Sequence, residues 1–323
     1  RNASYYFKRG ITFPRIGSSN LQARLAIKGS LFDINGPTCY YEKLEYLMGL
    51  MNSNVMQSIL KVLCPSLTFQ VGDVFKVPFV DNCNTFINEL VKDNISISKQ
   101  DWDAHETSWD FETNPLLAVD EETYIDNIHH EIERHEKETG EHICIDPAMP
   151  ELDSLEWRMK QYKQKWEHLF KQLHENEKEL NRQFIDIYGL QDELTPDVPL
   201  NEITVLQQGE ISIENDRIKW HDDVVMKQFI SYAVGCMMGR YSIDKPGLVL
   251  ANQGDGVNEY NEKVPNSRFE VDDDGIIPLM TSDTEFADNA THRFKQWLAI
   301  AFGDTHLVEN LNFIEGALGK SLD

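Results

Sequence analysis

Apolar and polar positions alternate in short runs over residues 5–34, as short strands do. YYFKR and ITFPRI are split by Gly10, LQARLAI and SLFDI by Lys28-Gly29, and the polar GSSN at 17–20 predicts a loop. NGP at 35–37 is expected to end the strand region. From 42 to 63 the spacing becomes helical, through Leu44, Leu47, Leu50, Met51, Val55, Ile59, Val62 and Leu63. The polar NSN at 52–54 predicts a break into two helices, the second capped by Ser53 or Asn54. PSLTFQVGDVFKVPFV, residues 65–80, predicts a strand, a turn at Gly72-Asp73 and a second strand, closing a small α+β unit.

Residues 81–120 turn acidic and lose their period after about Val91, which predicts a loop or linker. An acidic helix is expected over 121–142, with Tyr124, Ile128 and Ile132 on one side. The strongest period follows. Leu155, Met159, Tyr162, Trp166, Leu169, Leu173, Leu180, Phe184 and Ile187 predict one helix over 154–188, about 50 Å long at ~1.5 Å per residue. Gly189 stands where a helix-ending glycine belongs, and so narrow a stripe calls for another helix beside it. ELTPDVP (193–199) predicts an extended connection. Beyond it lie a buried helix from about Asp222, a loop rich in Gly, Pro and Asp over 251–284, and two helices over 288–302 and 305–318 divided at Gly303.

The pattern gives an α+β chain with four parts: a small mixed-sheet domain over 1–80, a linker over 81–120, a helical spacer over 121–192, and a mainly helical domain over 193–323. The first residues, RNASYYFKRG, hold no initiator Met, and GALGKSLD ends inside a helical pattern. The expectation is a piece of a longer polypeptide.

Charge changes this picture. The chain carries −24 overall, yet residues 1–80 hold nine Lys/Arg against four Asp/Glu (+5) and the remainder 21 against 50 (−29). Residues 1–30 hold six basic side chains and no acidic one. Such a front can contact phosphates, or be a solvated face that happens to be basic. The longest uncharged apolar run, FISYAVGCMMG at 229–239, is about half a membrane span. Five scattered cysteines (Cys39, Cys64, Cys83, Cys144, Cys236) with no Cys-x-x-Cys favour reduced thiols in a cytosol.

Motifs with chemistry are sparse. HHEIERHEKETGEHIC (129–144) offers four His and a Cys, but His130 and His135 are about 500° of helix rotation apart and do not converge, so no metal is expected. VDDDG (271–275) lacks the spacing of a calcium loop, and QGDG (253–256) lacks the flanking strand and helix of a phosphate cradle. In TNPLL (113–117), Leu116 and Leu117 stand where an amino-methyltransferase motif needs a second Pro and an aromatic; Asn114-Pro115 is expected as a turn.

Longer stretches carry a resemblance. RGITFPRIGSSNLQARL, SLFDINGP, LMGLMNSNVMQSILKVLCPSLTFQVGDVFKVP, DWDAHETSWDF, ELNRQFIDIYGLQDELTPDVP and FISYAVGCMMGRYSIDKPGLVLANQGD resemble the C-terminal half of the PglX family, the adenine-specific DNA methyltransferases of BREX phage-defence systems. The resemblance covers nearly the whole chain except the His-rich 121–150 segment. It implies that 1–80 is the later part of a target recognition domain and that the long helix is the spacer that follows such domains. It implies a catalytic domain before residue 1, S-adenosylmethionine as cofactor of the full-length enzyme only, and methyl transfer to adenine N6. Double-stranded DNA, other BREX proteins and phage DNA-mimic inhibitors are the implied partners. No catalytic, cofactor or metal residue of the family carries over to this chain. The expected DNA face is Lys8, Arg9, Arg15, Arg24 and Lys28 on phosphates or guanines, with Ser18, Ser19 and Asn20 at base edges. A second class remains open: a non-catalytic DNA-specificity or interaction subunit that holds defence proteins through its acidic body. A nuclease would need an Asp…Glu-x-Lys set on a sheet edge, and none is convincing here.

Overall fold

The computed structural model describes residues 3–17, 20–64, 68–82, 84–145, 150–279 and 288–321. It is α+β, with short antiparallel strands and mostly helix. In chain order the elements are β1 (Gly10–Thr12), β2 (Arg24–Ala26), β3 (Thr38–Cys39), α1 (Leu44–Asn52), α2 (Asn54–Leu63), α3 (Val71–Val74), α4 (Thr85–Asp103), α5 (Glu121–Thr139), α6 (Leu155–Tyr188), β4 (Ile211–Glu214), β5 (Arg217–Trp220), α7 (Asp222–Met237), α8 (Val257–Lys263), α9 (Ala290–Phe302) and α10 (Leu307–Leu318). Two units are distinguished, one of residues 1–99 with 170–203, the other of 100–169 with 204–323. α4 and α6 contribute residues to both.

In the first unit the sheet order is β2-β1-β3, all antiparallel, with Thr12 opposite both Arg24 and Thr38. Side chains alternate across a strand. Ile11 and Phe13 therefore enter the core with Leu25 and Cys39 packed against it, joined by Leu44, Met51, Met56 and Leu60 from α1 and α2. The other side of this helix pair, Tyr46, Leu50 and Val55, packs with Ile87 and Val91 of α4 and with Leu180, Phe184 and Ile185 of α6. Gly49 lies between these layers: a Cβ there would come 2.9 Å from Val91 Cγ2 and 3.2 Å from the Phe184 ring.

The expected break at 52–54 is present, and each polar residue has its own task. Asn52 brackets Ala23, accepting its N–H at 2.9 Å and donating to its carbonyl at 3.0 Å. Ser53 caps α2 by accepting from Met56 N. Asn54 N donates to Asn181 Oδ1 on α6 at 2.8 Å, and its Nδ2 donates to the carbonyls of Thr195 and Asp197.

The strand–turn–strand expected at 65–80 does not form, although residues 65–67 lie outside the described residues. Gln70 O accepts from Asp73 N and Val74 N, so Gly72-Asp73 sits in α3 instead of a β-turn. Residues 78–80 find their partners in two tyrosine hydroxyls and not in a ladder. Tyr188 Oη donates to Pro78 O and accepts from Val80 N, while Tyr46 Oη donates to Val80 O. SLFDI is not a strand either; the third strand follows NGP. The aperiodic stretch after Val91 continues α4 to Asp103.

In the second unit, Asn310 of α10 caps α6, accepting from Leu155 N at 2.7 Å and donating to Asp153 O. α5 starts on its Asp120 cap and ends at left-handed Gly140. It lies beside α6 through Asn127, which donates to Gln161 O and Oε1, and through the Tyr124–Trp157 ring pair. These contacts lie on a face of α6 away from the apolar stripe; the stripe's Tyr162 packs instead on Trp220 of β5, and Trp166 is 4 % exposed. Phe229 and Tyr232 of α7 contact Trp297 of α9. β4 and β5 form a hairpin absent from the sequence reading; Asn215 and Asp216 turn it with φ of +52° and +57°.

Candidate nucleic-acid interface

The face of the β2-β1-β3 sheet opposite the core is the concave surface on which the basic residues meet. Thr12, Arg24 and Thr38 lie in one row across the three strands. Two residues along, Ala26 and Tyr40 belong to the same face, beside Gly10. A Cβ on Gly10 would stand 2.6 Å from Thr38 Cγ2 and 3.0 Å from Tyr40 Cε1, so the ring crosses the strand only because that side chain is missing. The segment 27–36 rises beside this floor and encloses a cavity of about 320 Å³. Phe32 and Tyr40 are 6.0 Å apart at one wall, backed by Tyr6 on Phe32 and Tyr5 on Tyr40.

Lys8 and Arg24 both line this cavity. Arg24 is exposed on an edge strand, and among the described residues no carboxylate pairs with it. Lys8 has its Nζ 5.6 Å from the Tyr5 ring centroid. The β1–β2 ladder continues to Phe7, whose N–H donates to Ser30 O and whose carbonyl accepts from Gly29 N. Lys28, exposed in the turn, is thereby brought to the Lys8 end of the floor. Asp33, also at the cavity, is engaged locally: one carboxylate oxygen accepts the N–H groups of Asn35 and Gly36, both at 2.8 Å.

Of the remaining expected residues, Arg9, Arg15 and Asn20 do not join this group. Arg9 is one residue out of phase, on the core side of β1, where it pairs with Glu45 of α1 at 3.5 Å. Arg15 is half-buried beyond the sheet, its backbone bonded to Asn35 O and Phe69 N. Asn20 is half-buried. Ser18 and Ser19 lie outside the described residues. Thr12, Phe32, Thr38 and Tyr40 went unnoticed in the sequence. Their signal was the alternation Gly10-x-Thr12, concealed because β3 lies beyond a Gly-Pro taken as the end of the strands.

Ionisable groups also concentrate in the second unit. His105 (5 % exposed) has Nε2 2.6 Å from Glu210 Oε1 and Nδ1 2.7 Å from Asp101 O. Gln228 Nε2 donates to Glu210 Oε1, Gln208 N to Oε2, and Leu206 N to Asp101 Oδ1. Burial opposes charge on His105, but the hydrogen bond and charge of Glu210 prevail and raise its pKa. Burial likewise opposes charge on Glu210, and the donors His105 and Gln228 prevail and lower its pKa. Both imidazole nitrogens and both Glu210 carboxylate oxygens are directed at protein partners, and the cluster ties DWDAH to the start of the hairpin.

Other candidates resolve into local structure. His130 stacks on His168 with ring centroids 3.6 Å apart. Asn114 Oδ1 accepts from Leu116 N, which makes Asn114-Pro115 a turn. Among the described residues, metal-compatible spacing occurs at Asp272, Asp273 and Asp274, an exposed turn in which Asp272 and Asp274 both accept from Ile276 N. No described helix is long and apolar enough to cross a membrane.

No family model matches the chain. Two named proteins do. The chain is 35% identical over 327 aligned residues to the adenine-specific methyltransferase PglX of Lacticaseibacillus casei (strain Zhang), covering 100% of the chain and 24% of the relative. It is 31% identical to the adenine-specific methyltransferase BrxX of Escherichia coli O9:H4 (strain HS), covering 98% and 24%. The chain spans about a quarter of the length of these curated relatives. Over essentially its whole length, then, the chain is a homologue of one quarter of the PglX and BrxX adenine-specific methyltransferases.

Proposed function

We propose that this chain is the DNA-recognition and C-terminal portion of a site-specific adenine-N6 DNA methyltransferase that marks self DNA in a BREX phage-defence system. The observation that carries the reading is the whole-length similarity to PglX at 35% identity. The basic sheet face supports it. On this reading residues 1–80 belong to a target recognition domain, and the catalytic domain with its S-adenosylmethionine site corresponds to the three-quarters of the relatives that this chain does not span. The enzyme works in the cytoplasm on double-stranded DNA, alongside other BREX proteins and exposed to phage DNA mimics.

In this scheme Lys8, Arg24 and Lys28 neutralise phosphates along one strand, which fixes the register of the duplex without reading it. An arginine on an edge strand can instead present its fork to the O6 and N7 of a guanine. Ser18, Ser19 and Asn20, which precede β2 in the sequence, are assigned to base edges. The acidic remainder, −29 outside residues 1–80, repels DNA elsewhere and so favours a single docking face. The test is long-read detection of N6-methyladenine in cells carrying the full-length gene. Methylation at one short asymmetric site, lost or relaxed when Arg24 and Lys28 are both changed to Ala, supports the reading. Unchanged methylation in that variant rejects the assigned face.

A further inference from the structure

The cavity over the outer face of the sheet has a composition that phosphate contacts alone do not use. We propose that it is a receptor for one unstacked nucleotide, the base lying against Tyr40 and Phe32 and the phosphate held by Arg24 and Lys8. This inference rests on the DNA-recognition reading for its usual source of nucleotides. The argument starts from size. At about 320 Å³ the cavity is at the low end of small-ligand sites, roughly 300–1,000 Å³, which suits one nucleotide and not a base pair.

Its chemistry is divided in two. One wall holds the half-buried rings of Phe32 and Tyr40, fixed from behind by Tyr6 and Tyr5 at centroid distances of 5.3 and 5.0 Å. Rings pre-positioned in this way are platforms on which any base can stack. The rim holds two cations, Lys8 and Arg24, against one carboxylate, Asp33, whose Oδ1 accepts the backbone N–H groups of Asn35 and Gly36. Between wall and rim the floor is made of short side chains, Thr12, Ala26 and Thr38, which keep it open. Thr12 Oγ1 donates to Pro37 O, so its hydroxyl keeps acceptor capacity for a ligand donor. A fully paired duplex could reach the cations, but its stacked bases could not reach the rings. The ligand is therefore a nucleotide out of the stack, supplied by a bulge, a single strand, or a free mononucleotide.

The experiment uses the 323-residue chain and fluorescence anisotropy over a salt series. Four probes are compared: a paired duplex, the same duplex with a one-nucleotide bulge, the same bulge made abasic, and a single strand; deoxyadenosine monophosphate is the competitor. The expected result is that the bulged and single-stranded probes bind about tenfold tighter than the paired and abasic ones. Tyr40→Ala should erase that difference with an unchanged salt slope, and Tyr40→Phe should retain it, which separates stacking from misfolding. Arg24→Ala and Lys8→Ala should each flatten the slope by ~0.9 on the duplex probes and ~0.7 on the single strand. Mononucleotide binding that the bulged duplex cannot displace would keep the nucleotide chemistry and assign the pocket to a free nucleotide. Equal affinity for bulged, abasic and paired probes, with slopes still reduced by Arg24→Ala, would overturn the pocket and leave the DNA face standing. No binding of any probe or nucleotide would overturn both.

Discussion

His105 and Glu210, 105 positions apart in the chain, meet at 2.6 Å with 5 % and 0 % of their side chains exposed. The other imidazole nitrogen faces the Asp101 carbonyl, which accepts only, so His105 donates there and the pair holds its second proton between Nε2 and the carboxylate. Removing one partner strands the other in the interior. His105→Ala should cost ~3–5 kcal/mol in a denaturant melt. The pH dependence has two limbs. His105 is raised above its ordinary 6.5, so its contribution is complete below 6.5 and fades as pH rises through the folded value. Glu210 is lowered below its ordinary 4.5, so its contribution is complete above 4.5 and fades as pH falls through the folded value. Both contribute fully between about 4.5 and 6.5. An H105A penalty that is the same at pH 5.5 and pH 9 would show that the pair is not charged.

Glu177 on α6 has the opposite sign. Burial, reinforced by Glu202, pushes its pKa from 4.5 up to about 7. The native state then holds a proton that the unfolded chain releases, and stability falls as pH rises from 4.5 through 7. Glu177→Gln should be neutral near pH 4 and stabilising at pH 8, by up to about 3 kcal/mol. Urea melts of both proteins at the two pH values decide it, and a gain of equal size at both would reject the burial argument.

Trp166 tests whether the apolar stripe of α6 is a core. Trp166→Ala should destabilise the chain by ~3–5 kcal/mol. A loss below ~1 kcal/mol would mean that the indole is accessible in solution, contrary to its 4 % exposure.

The basic face predicts a salt signature. Changing Lys8, Arg24 and Lys28 together to Ala should flatten the dependence of log K on log salt by ~2.7, on target and scrambled duplexes alike. Arg9→Ala should do less, because Glu45 already holds that guanidinium. Changing Ser18, Ser19 and Asn20 should alter discrimination between sequences with the slope nearly intact. Two triple mutants that bind like wild type would remove the face from the interface.

Where adjacent residues sufficed to decide an element, the sequence was informative. Asn52-Ser53-Asn54 marks the joint of α1 and α2, with Ser53 as the cap, and Gly189 closes α6 with φ of +67°, whereas α5 stops at Gly140, short of the expected 142. Where a partner far along the chain decides, it was not. Residues 78–80 have strand composition, yet Tyr46 and Tyr188 take their backbone groups. α4 has Ile87, Val91 and Ile97 buried but polar residues between them, too thin a stripe to register as a period. The hairpin was missed because Asn215-Asp216 lacks the glycine that usually announces such a turn. Of the expected DNA face, the charge asymmetry pointed to strands on which Lys8 and Arg24 share one side, but it carried no information on phase, which sends Arg9 to the opposite side.

The tripeptide Asn52-Ser53-Asn54 bears on exchange of parts between relatives. Asn52 fastens the strand carrying the basic face, Ser53 starts the next helix, and Asn54 fastens α6. Transplanting residues 1–43 from a relative to alter what is read would leave a foreign strand facing Asn52. A crossover after residue 64 would keep Asn52 with Ala23 and Ser53 with its helix, yet leave Asn54 facing a foreign Asn181 and Arg15 facing a foreign Phe69, so a transplant that preserves both fastenings must also carry α6.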